Sequence, residues 1–173
     1  ELIIGLPGET YESFCEGICT LLECGQHKSI NAYACELLPN SQMGSADFKR
    51  LHGIESVKLP FYQIHCKIPD NLNEVQEYSE FVISTNTMSR EDWVKTSVFS
   101  FYIQALHNLG LTRALAIFLR YEKNVSYLSF YTGLMDYFQK TPGTLLFHVY
   151  KNITALTKGV IESSNAWVVE NEK

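Results

Sequence analysis

The amino-acid sequence predicts a mixed α and β chain that is rich in helix, in which a βαβ unit precedes a mostly helical region. The first observation behind this prediction is an amphipathic segment that lies between two short apolar runs near the start of the chain. The second is the recurrence of apolar residues at helical spacing, interrupted by short breaks, from residue 89 onward. A chain of 173 residues can bury roughly 70% of the surface that it exposes when unfolded, so a stable core is expected.

The predicted βαβ unit occupies about the first 35 residues. Residues 1–6 are rich in Leu and Ile and end at Pro7-Gly8, which is typical of a buried strand followed by a turn. A helix begins after Thr10, whose hydroxyl is a suitable N-cap, and ends before Gly25. Residues 29–35 form the second strand. Strand, helix and strand in this order predict a parallel pair joined by a right-handed crossover.

The connection that follows shows a less regular pattern. Residues 43–52 predict a short helix that ends at Gly53. Residues 61–66 are an extended or strand segment, residues 69–73 are a polar break, and residues 81–85 are a further short strand.

The helical region begins at Ser89, a predicted N-cap, with a helix that runs to Gly110. Further helices are predicted over residues 112–121, 126–139 and 144–161, and the tail after them is expected to fray. The stripe assigned to the core of the first of these helices consists of Val94, Val98, Phe101, Tyr102, Ala105 and Leu109. Short loops between amphipathic helices favour an antiparallel cluster, which we expect to be the most stable part of the chain.

Composition excludes several classes of function. The net charge is −5 and no cluster of Lys and Arg occurs, which argues against a nucleic-acid partner. No apolar run approaches the roughly 18 residues of a membrane span. The five cysteines are an odd number for a disulfide scaffold, so free thiols and a cytoplasmic location are expected. The chain also begins inside a strand-like apolar run, which predicts that further residues precede it.

Two segments carry a resemblance to a known family. Residues 1–10, Glu-Leu-Ile-Ile-Gly-Leu-Pro-Gly-Glu-Thr, resemble the strand and glycine-rich turn found late in the partial barrel of radical SAM enzymes. Of the family pattern GxIxGxxE, Ile3 and Gly5 match, while Gly8 occupies the acidic position and Glu9 lies one residue beyond it. Residues 33–43 resemble the sixth strand of that barrel with its exit loop. The pattern is most similar to the subgroup in which a cobalamin-binding domain precedes the radical SAM domain, and it covers about the first 50 residues.

The resemblance implies a division of the chain and a set of cofactors. Residues 1–53 are then the C-terminal portion of a partial TIM-type barrel, 54–88 a short-strand connection, and 89–173 a helical C-terminal domain. The full-length enzyme is expected to use S-adenosylmethionine, a [4Fe–4S] cluster and, in this subgroup, cobalamin, with methyl transfer to a small-molecule or lipid-like substrate. The partner of this chain is the remainder of its own polypeptide. The implied cofactor-binding residues are Ile3, Gly5, Gly8 and Glu9.

The cluster itself needs three thiolates in the spacing CxxxCxxC, and the sequence lacks this motif. Cys15 and Cys19 lie about 40° apart on a helix, whereas Cys24 lies about 180° from Cys15. Buried thiols explain these residues better than a metal centre does. His65-Cys66, His107 and His148 have no partner at ligand spacing, so core or surface histidines are the preferred interpretation. The chain alone is therefore not expected to be catalytic or to bind a metal.

Some alternatives remain open at the level of sequence. The glycine-rich turn is compatible with an ordinary βα connection that binds no ligand. The helical region suits a substrate-facing cap or a non-catalytic protein-interaction module. A deep apolar pocket at the carboxyl ends of the strands would favour the cap, and a flat apolar patch would favour the module. The aromatic residues of the helices are interpreted as core packing rather than as the lining of a substrate cavity; they are Tyr121, Tyr127, Phe130, Tyr131, Tyr137 and Phe138.

Overall fold

A computed structural model describes residues 1–60 and 77–162 of the chain. These residues form four strands, six α-helices, a short 3₁₀ turn at Gln42–Gly44 and a π-helical turn at Ile103–Asn108. The strands are β1 (Leu2–Ile4), β2 (Ala32–Ala34), β3 (Glu55–Pro60) and β4 (Tyr78–Ser84). The helices are α1 (Tyr11–Glu23), α2 (Ala46–His52), α3 (Arg90–Tyr102), α4 (Arg113–Lys123), α5 (Tyr127–Lys140) and α6 (Leu145–Ile161). The predicted fold class, mixed α and β and rich in helix, is confirmed.

The predicted parallel crossover is present at the start of the chain. β1 and β2 pair in parallel with Ile3 opposite Tyr33, and α1 connects them. Helix α1 begins where the sequence predicts, because the Thr10 side chain accepts the Ser13 N–H. Both strands are shorter than predicted, with three residues each.

The second pair of strands forms a separate two-stranded sheet beside the first. β3 and β4 form an antiparallel hairpin with Val57 opposite Phe81. The backbone that leaves β2 runs along β4, since the Val82 N–H donates to the Cys35 carbonyl at 2.9 Å and the Leu37 N–H donates to the Glu80 carbonyl at 2.7 Å. Only β4 was predicted as a strand. β3 was missed because its polar and apolar residues give a mixed pattern until the hairpin buries one face.

Helix α3 is buried on most of its surface, and the predicted core stripe is partly wrong. Trp93 and Phe99 are fully buried, whereas Phe101 is 46% exposed and Leu109 is 79% exposed. Two features explain the burial of Trp93 and Phe99 and the exposure of Leu109. α3 is enclosed by the sheet, α1 and α6, so more than one stripe faces the core. The helix also changes to π-helical hydrogen bonding after Tyr102, which rotates the residues that follow relative to an α-helical stripe.

One hydrophobic core joins the elements from β1 to α6. Ile4, Phe14 and Ile18 from the start of the chain pack in the same cluster as Phe99, Tyr131 and Val160. Among the aromatic residues of the helices, Tyr127, Tyr131 and Phe138 are buried in this core, as the packing interpretation requires. Tyr121 and Tyr137 are exposed instead, so they are not core residues.

Several predictions concern residues outside the described ranges. The strand at 61–66, the polar break at 69–73, the pair His65-Cys66 and the frayed tail after Glu162 all lie there. Within the described ranges, no helix combines the length and the apolar character needed to cross a membrane.

Candidate functional site

The glycine-rich turn after β1 has a backbone that side chains disfavour. Gly5 and Gly8 have φ values of +96° and +89°, in the region where an L-residue is strained. A Cβ atom at Gly5 would lie 3.3 Å from Val82 Cγ1 and 3.5 Å from Trp93 Nε1, so the turn packs tightly at this point. A Cβ atom at Gly8 would meet nothing within 4 Å. The turn is therefore closed against the protein at Gly5 and open at Gly8.

Thr87, in the loop between β4 and α3, holds this turn in place. The Gly8 N–H donates to Thr87 Oγ1 at 3.2 Å, and the Thr87 hydroxyl donates to the Glu9 carbonyl at 2.8 Å. Thr85 Oγ1 accepts the N–H of Met88 at 3.1 Å and thereby shapes the same loop. The conformation of the turn is thus supported by a segment about eighty residues away in the sequence.

The turn leads directly into the N-terminus of α1. Thr10 and Ser13 form a capping box, in which each side chain accepts the backbone N–H of the other residue. The half-buried Glu9 carboxylate accepts a hydrogen bond from the Ser13 hydroxyl. A carboxylate at this position is stabilised by the dipole of α1. Glu9 therefore points towards the helix N-terminus rather than freely into solvent.

The second motif lies beside the first at the carboxyl end of β2. Tyr33 is 53% exposed and lies opposite Ile3, which is 44% exposed, so an apolar pair is accessible on the sheet. In the loop that follows, the Ser41 hydroxyl donates to the Leu38 carbonyl at 2.8 Å. A Cβ atom at Gly44 would lie only 2.7 Å from that same carbonyl oxygen, so a side chain does not fit there. The structure thus brings the two motifs to adjacent strand ends, where α/β sheets bind ligands.

A cavity of about 440 Å³ lies between the sheet and helices α3 and α6. Its apolar lining includes Ile4, Ala32, Ala34, Phe81, Phe101 and Ile153. Ser97, Ser100, Gln104 and Thr157 add polar groups from the helices, and Glu36 lies beyond the end of β2. The cavity is large enough for a small ligand and reaches the last residues of β1 and β2.

The described cysteines do not form a metal centre. Burial raises the pKa of the Cys15 and Cys19 thiols to about 12, whereas Cys24 is exposed. Across residues 1–60 and 77–162, no group of three His, Cys, Asp or Glu side chains is placed to hold a metal ion. A [4Fe–4S] cluster requires at least three thiolates, so the residues described here do not fit that group.

His107 is a fully buried histidine with specific partners. Its Nδ1 lies 2.6 Å from the Tyr131 hydroxyl, and its Nε2 lies 3.1 Å from Nδ1 of His27. Burial, assisted by His27 and Arg113, lowers the pKa of His107 to about 4, so the ring is neutral near pH 7. His107 is thus a core histidine with satisfied ring nitrogens, while His148 is exposed. Sequence spacing gave no sign of the contact with His27, because the two residues are eighty positions apart.

Comparison with known proteins places the chain among curated relatives. No family model matches it. It is 38% identical over 162 residues to the cobalamin-dependent radical SAM methyltransferase TokK of Streptomyces tokunonensis, covering 94% of this chain and 23% of that protein. It is 35% identical, with the same coverage, to the 2-(S-pantetheinyl)-carbapenam-3-carboxylate methyltransferase of Streptantibioticus cattleyicolor. The chain spans about a quarter of the length of these relatives. The resemblance inferred from the two opening motifs is therefore confirmed, and the chain matches a portion of cobalamin-dependent radical SAM methyltransferases.

Proposed function

We propose that this chain is the C-terminal portion of a cobalamin-dependent radical SAM methyltransferase and forms part of its S-adenosylmethionine pocket. The observation that carries the proposal is the position of the two motifs. The glycine-rich turn and the segment after Tyr33 lie at adjacent carboxyl ends of a parallel strand pair. Strand ends of this kind are where open α/β sheets bind ligands, and the relatives are methyltransferases of this class.

The proposed cofactor-binding residues are Ile3, Gly5, Gly8 and Glu9. The open face at Gly8 leaves space for a ligand to approach the backbone, and the exposed Ile3 offers an apolar contact for an adenine ring. Gly5 supports the turn from behind by packing against Val82 and Trp93. Glu9 adds a carboxylate next to the turn, with its orientation fixed by Ser13.

The remaining cofactors are assigned to other parts of the polypeptide. S-adenosylmethionine supplies the radical and the methyl group in such enzymes when the cluster and cobalamin are bound. The described residues offer no ligand set for a cluster, so no step of that chemistry is assigned to this chain. The four described free cysteines are compatible with the proposed cytoplasmic location.

For the helical region we propose a substrate-facing cap. The support for this role is the cavity between the sheet and helices α3 and α6, which reaches the carboxyl ends of β1 and β2. One relative acts on a pantetheinyl carbapenam carboxylate, according to its name, so a small, elongated substrate is proposed here as well. In this scheme residues 1–53 complete a partial TIM-type barrel, residues 89–173 form the cap, and residues 54–88 connect the two.

A second role, as a protein-interaction module, is favoured by one specific observation. Leu115 and Phe118 of helix α4 are exposed, as is Leu111 just before the helix, and only Ala116 of α4 is fully buried. Apolar groups clustered in this way on a surface often mark an interface. The proposed partner is the rest of the same polypeptide, whose relatives are about four times longer than this chain.

The cofactor assignment is tested by equilibrium binding of S-adenosylmethionine to the full-length polypeptide. Replacing Ile3 with Ser, or Gly8 with Ala, should weaken binding roughly tenfold, because each change alters the wall on the ligand side. Leu156→Ser on α6 is the matched control, since Leu156 and Ile3 are both 44% exposed and Leu156 lies neither in the turn nor in the lining of the cavity. Equal affinities for Ile3→Ser, Gly8→Ala and the control would refute the assignment.

The proposed division into barrel and cap predicts separate units of hydrogen exchange. If the division holds, amides of β1 should exchange faster than those of α3 in this chain, because β1 has one strand neighbour among the described residues. If the amides of β1 and α3 are equally protected in a monomer, the two segments unfold as one unit around their shared core, and the proposed division is wrong.

A further inference from the structure

A second cavity, of about 590 Å³, lies at the amino end of β2. One wall is the segment that precedes this strand, and the other is the π-helical turn with the start of α4. The polar and charged residues that line it are Lys28, Ser29, Asn31, Gln104, Asn108 and Arg113. Because β1 and β2 are parallel, this cavity lies at the opposite end of β2 from the proposed cofactor-binding turn.

The charged residues of this cavity are all cationic. Lys28 and Arg113 line it, and no Asp or Glu does so among the described residues. Neither of the two forms an ion pair within the part of the chain that the structure describes. Arg113 is held in position, since its Nη1 donates to the carbonyls of His27 at 3.3 Å and Asn108 at 3.2 Å. A fixed guanidinium with further N–H groups to donate, beside a free ammonium, matches a carboxylate or a phosphate.

Both walls of the cavity depart from regular backbone geometry. Gln104, Ala105 and Asn108 belong to the π-helical turn, a rare conformation that is found most often at functional sites. On the opposite wall Ser29 has a φ of +59°, which is uncommon for a residue other than glycine. The Asn108 Oδ1 atom is buried and has no hydrogen-bond partner among the described residues; as an acceptor, it suits a hydroxyl or N–H group of a ligand and not the anionic group itself. Strain and an unsatisfied polar group together are typical of a ligand site.

An apolar cavity adjoins this one. Phe101 and Gln104 line both this cavity and the 440 Å³ cavity over the sheet. Small side chains at Ala32, Ser97 and Ser100 leave that space open. A ligand held by its anionic end at Lys28 and Arg113 can therefore place an apolar body against Phe101.

We propose that this cavity binds the anionic end of an amphipathic small molecule, with a carboxylate or phosphate at Lys28 and Arg113 and an apolar chain beside Phe101. The proposal does not depend on the cofactor assignment, since the two sites lie at opposite ends of β2. It also accounts for Phe101, which is partly exposed although it lies on the most deeply buried helix.

The test is calorimetric titration of the intact polypeptide with octanoate, octyl phosphate and neutral 1-octanol, and with inorganic phosphate alone. Octanoate and octyl phosphate should both bind, and octanol should bind at least about fivefold more weakly. Added salt should weaken the binding of the two anions and leave the binding of octanol unchanged. Tighter binding of octyl phosphate than of octanoate would identify phosphate as the group recognised, and the reverse would identify carboxylate.

Matched variants locate the site. Lys28→Gln removes an exposed cation without touching the core and should weaken octyl phosphate binding roughly fivefold, the effect of one charge about 4 Å from an anion in water. Lys123→Gln makes the same charge change at the far end of α4 and should have no effect. Phe101→Ala should weaken the binding of octyl phosphate roughly threefold to tenfold and leave the binding of inorganic phosphate unchanged. Octanol binding as tightly as the anions, or equal affinities in Lys28→Gln and Lys123→Gln, would overturn the proposal.

Discussion

The two glycines of the turn after β1 provide a matched pair of perturbations. Both have φ near +90°, so replacing either with Ala forces an L-residue into a disfavoured conformation at a cost of about 1–2 kcal/mol. At Gly5 the new Cβ also approaches Val82 Cγ1 at 3.3 Å, and Val82 is fully buried and unable to move freely. Overpacking of this kind costs a further 1–3 kcal/mol or so. Gly8→Ala has no such contact.

Gly5→Ala should therefore destabilise the chain by about 2–5 kcal/mol, and Gly8→Ala by about 1–2 kcal/mol. Equilibrium unfolding in urea, followed by circular dichroism, measures both values, and the slope with denaturant should not change. Adding Val82→Ala to Gly5→Ala should recover about 1–3 kcal/mol relative to the sum of the single changes, because the contact is then removed. Equal destabilisation by the two glycine replacements, without any recovery in the double variant, would show that the packing behind Gly5 is not as described.

Three further predictions follow from burial. Phe99→Ala should lower the free energy of unfolding by about 3–5 kcal/mol, because its ring is fully buried, whereas Phe101→Ala should lower it by less than about 1 kcal/mol. Urea unfolding measures both values, and a larger loss for Phe101→Ala would contradict the packing of α3. The free energy of unfolding should fall by up to about 3 kcal/mol as the pH drops from 6.5 towards 4. In this window the unfolded state takes up a proton at His107, whereas the folded state, in which the pKa of His107 is about 4, does not. His107→Gln should therefore flatten the pH dependence of the free energy of unfolding over this window. Iodoacetamide should label Cys24 well before Cys15, whose thiol is buried and has a raised pKa; peptide mass spectrometry resolves the two, and equal rates would show that α1 is not packed as described.

Much of the candidate site was predictable because its signals are local. The glycine pattern of residues 1–10 and the segment 33–43 are enough to indicate the family, since both motifs are short and continuous in the sequence. The positive φ values at Gly5 and Gly8 agree with the turn that the sequence predicted. What the sequence did not indicate is Thr87, which fixes the turn through Gly8 and Glu9. A lone Thr in a loop carries no spacing signal that connects it to residues so far away along the chain.

The sequence by itself determined where most helices begin, and only the tertiary structure decided which of their faces are buried. Thr10, Ser89, Ser126 and Thr144 all cap helices through their own side chains, at the positions where helices were predicted to begin, because a cap depends on residues within one turn. Burial depends instead on which elements surround a helix. The pairing of β3 with β4 and the contact between His27 and His107 join segments that are separated in the sequence. The exposure of Phe101 likewise depends on which elements pack around α3. None of these features follows from a local pattern.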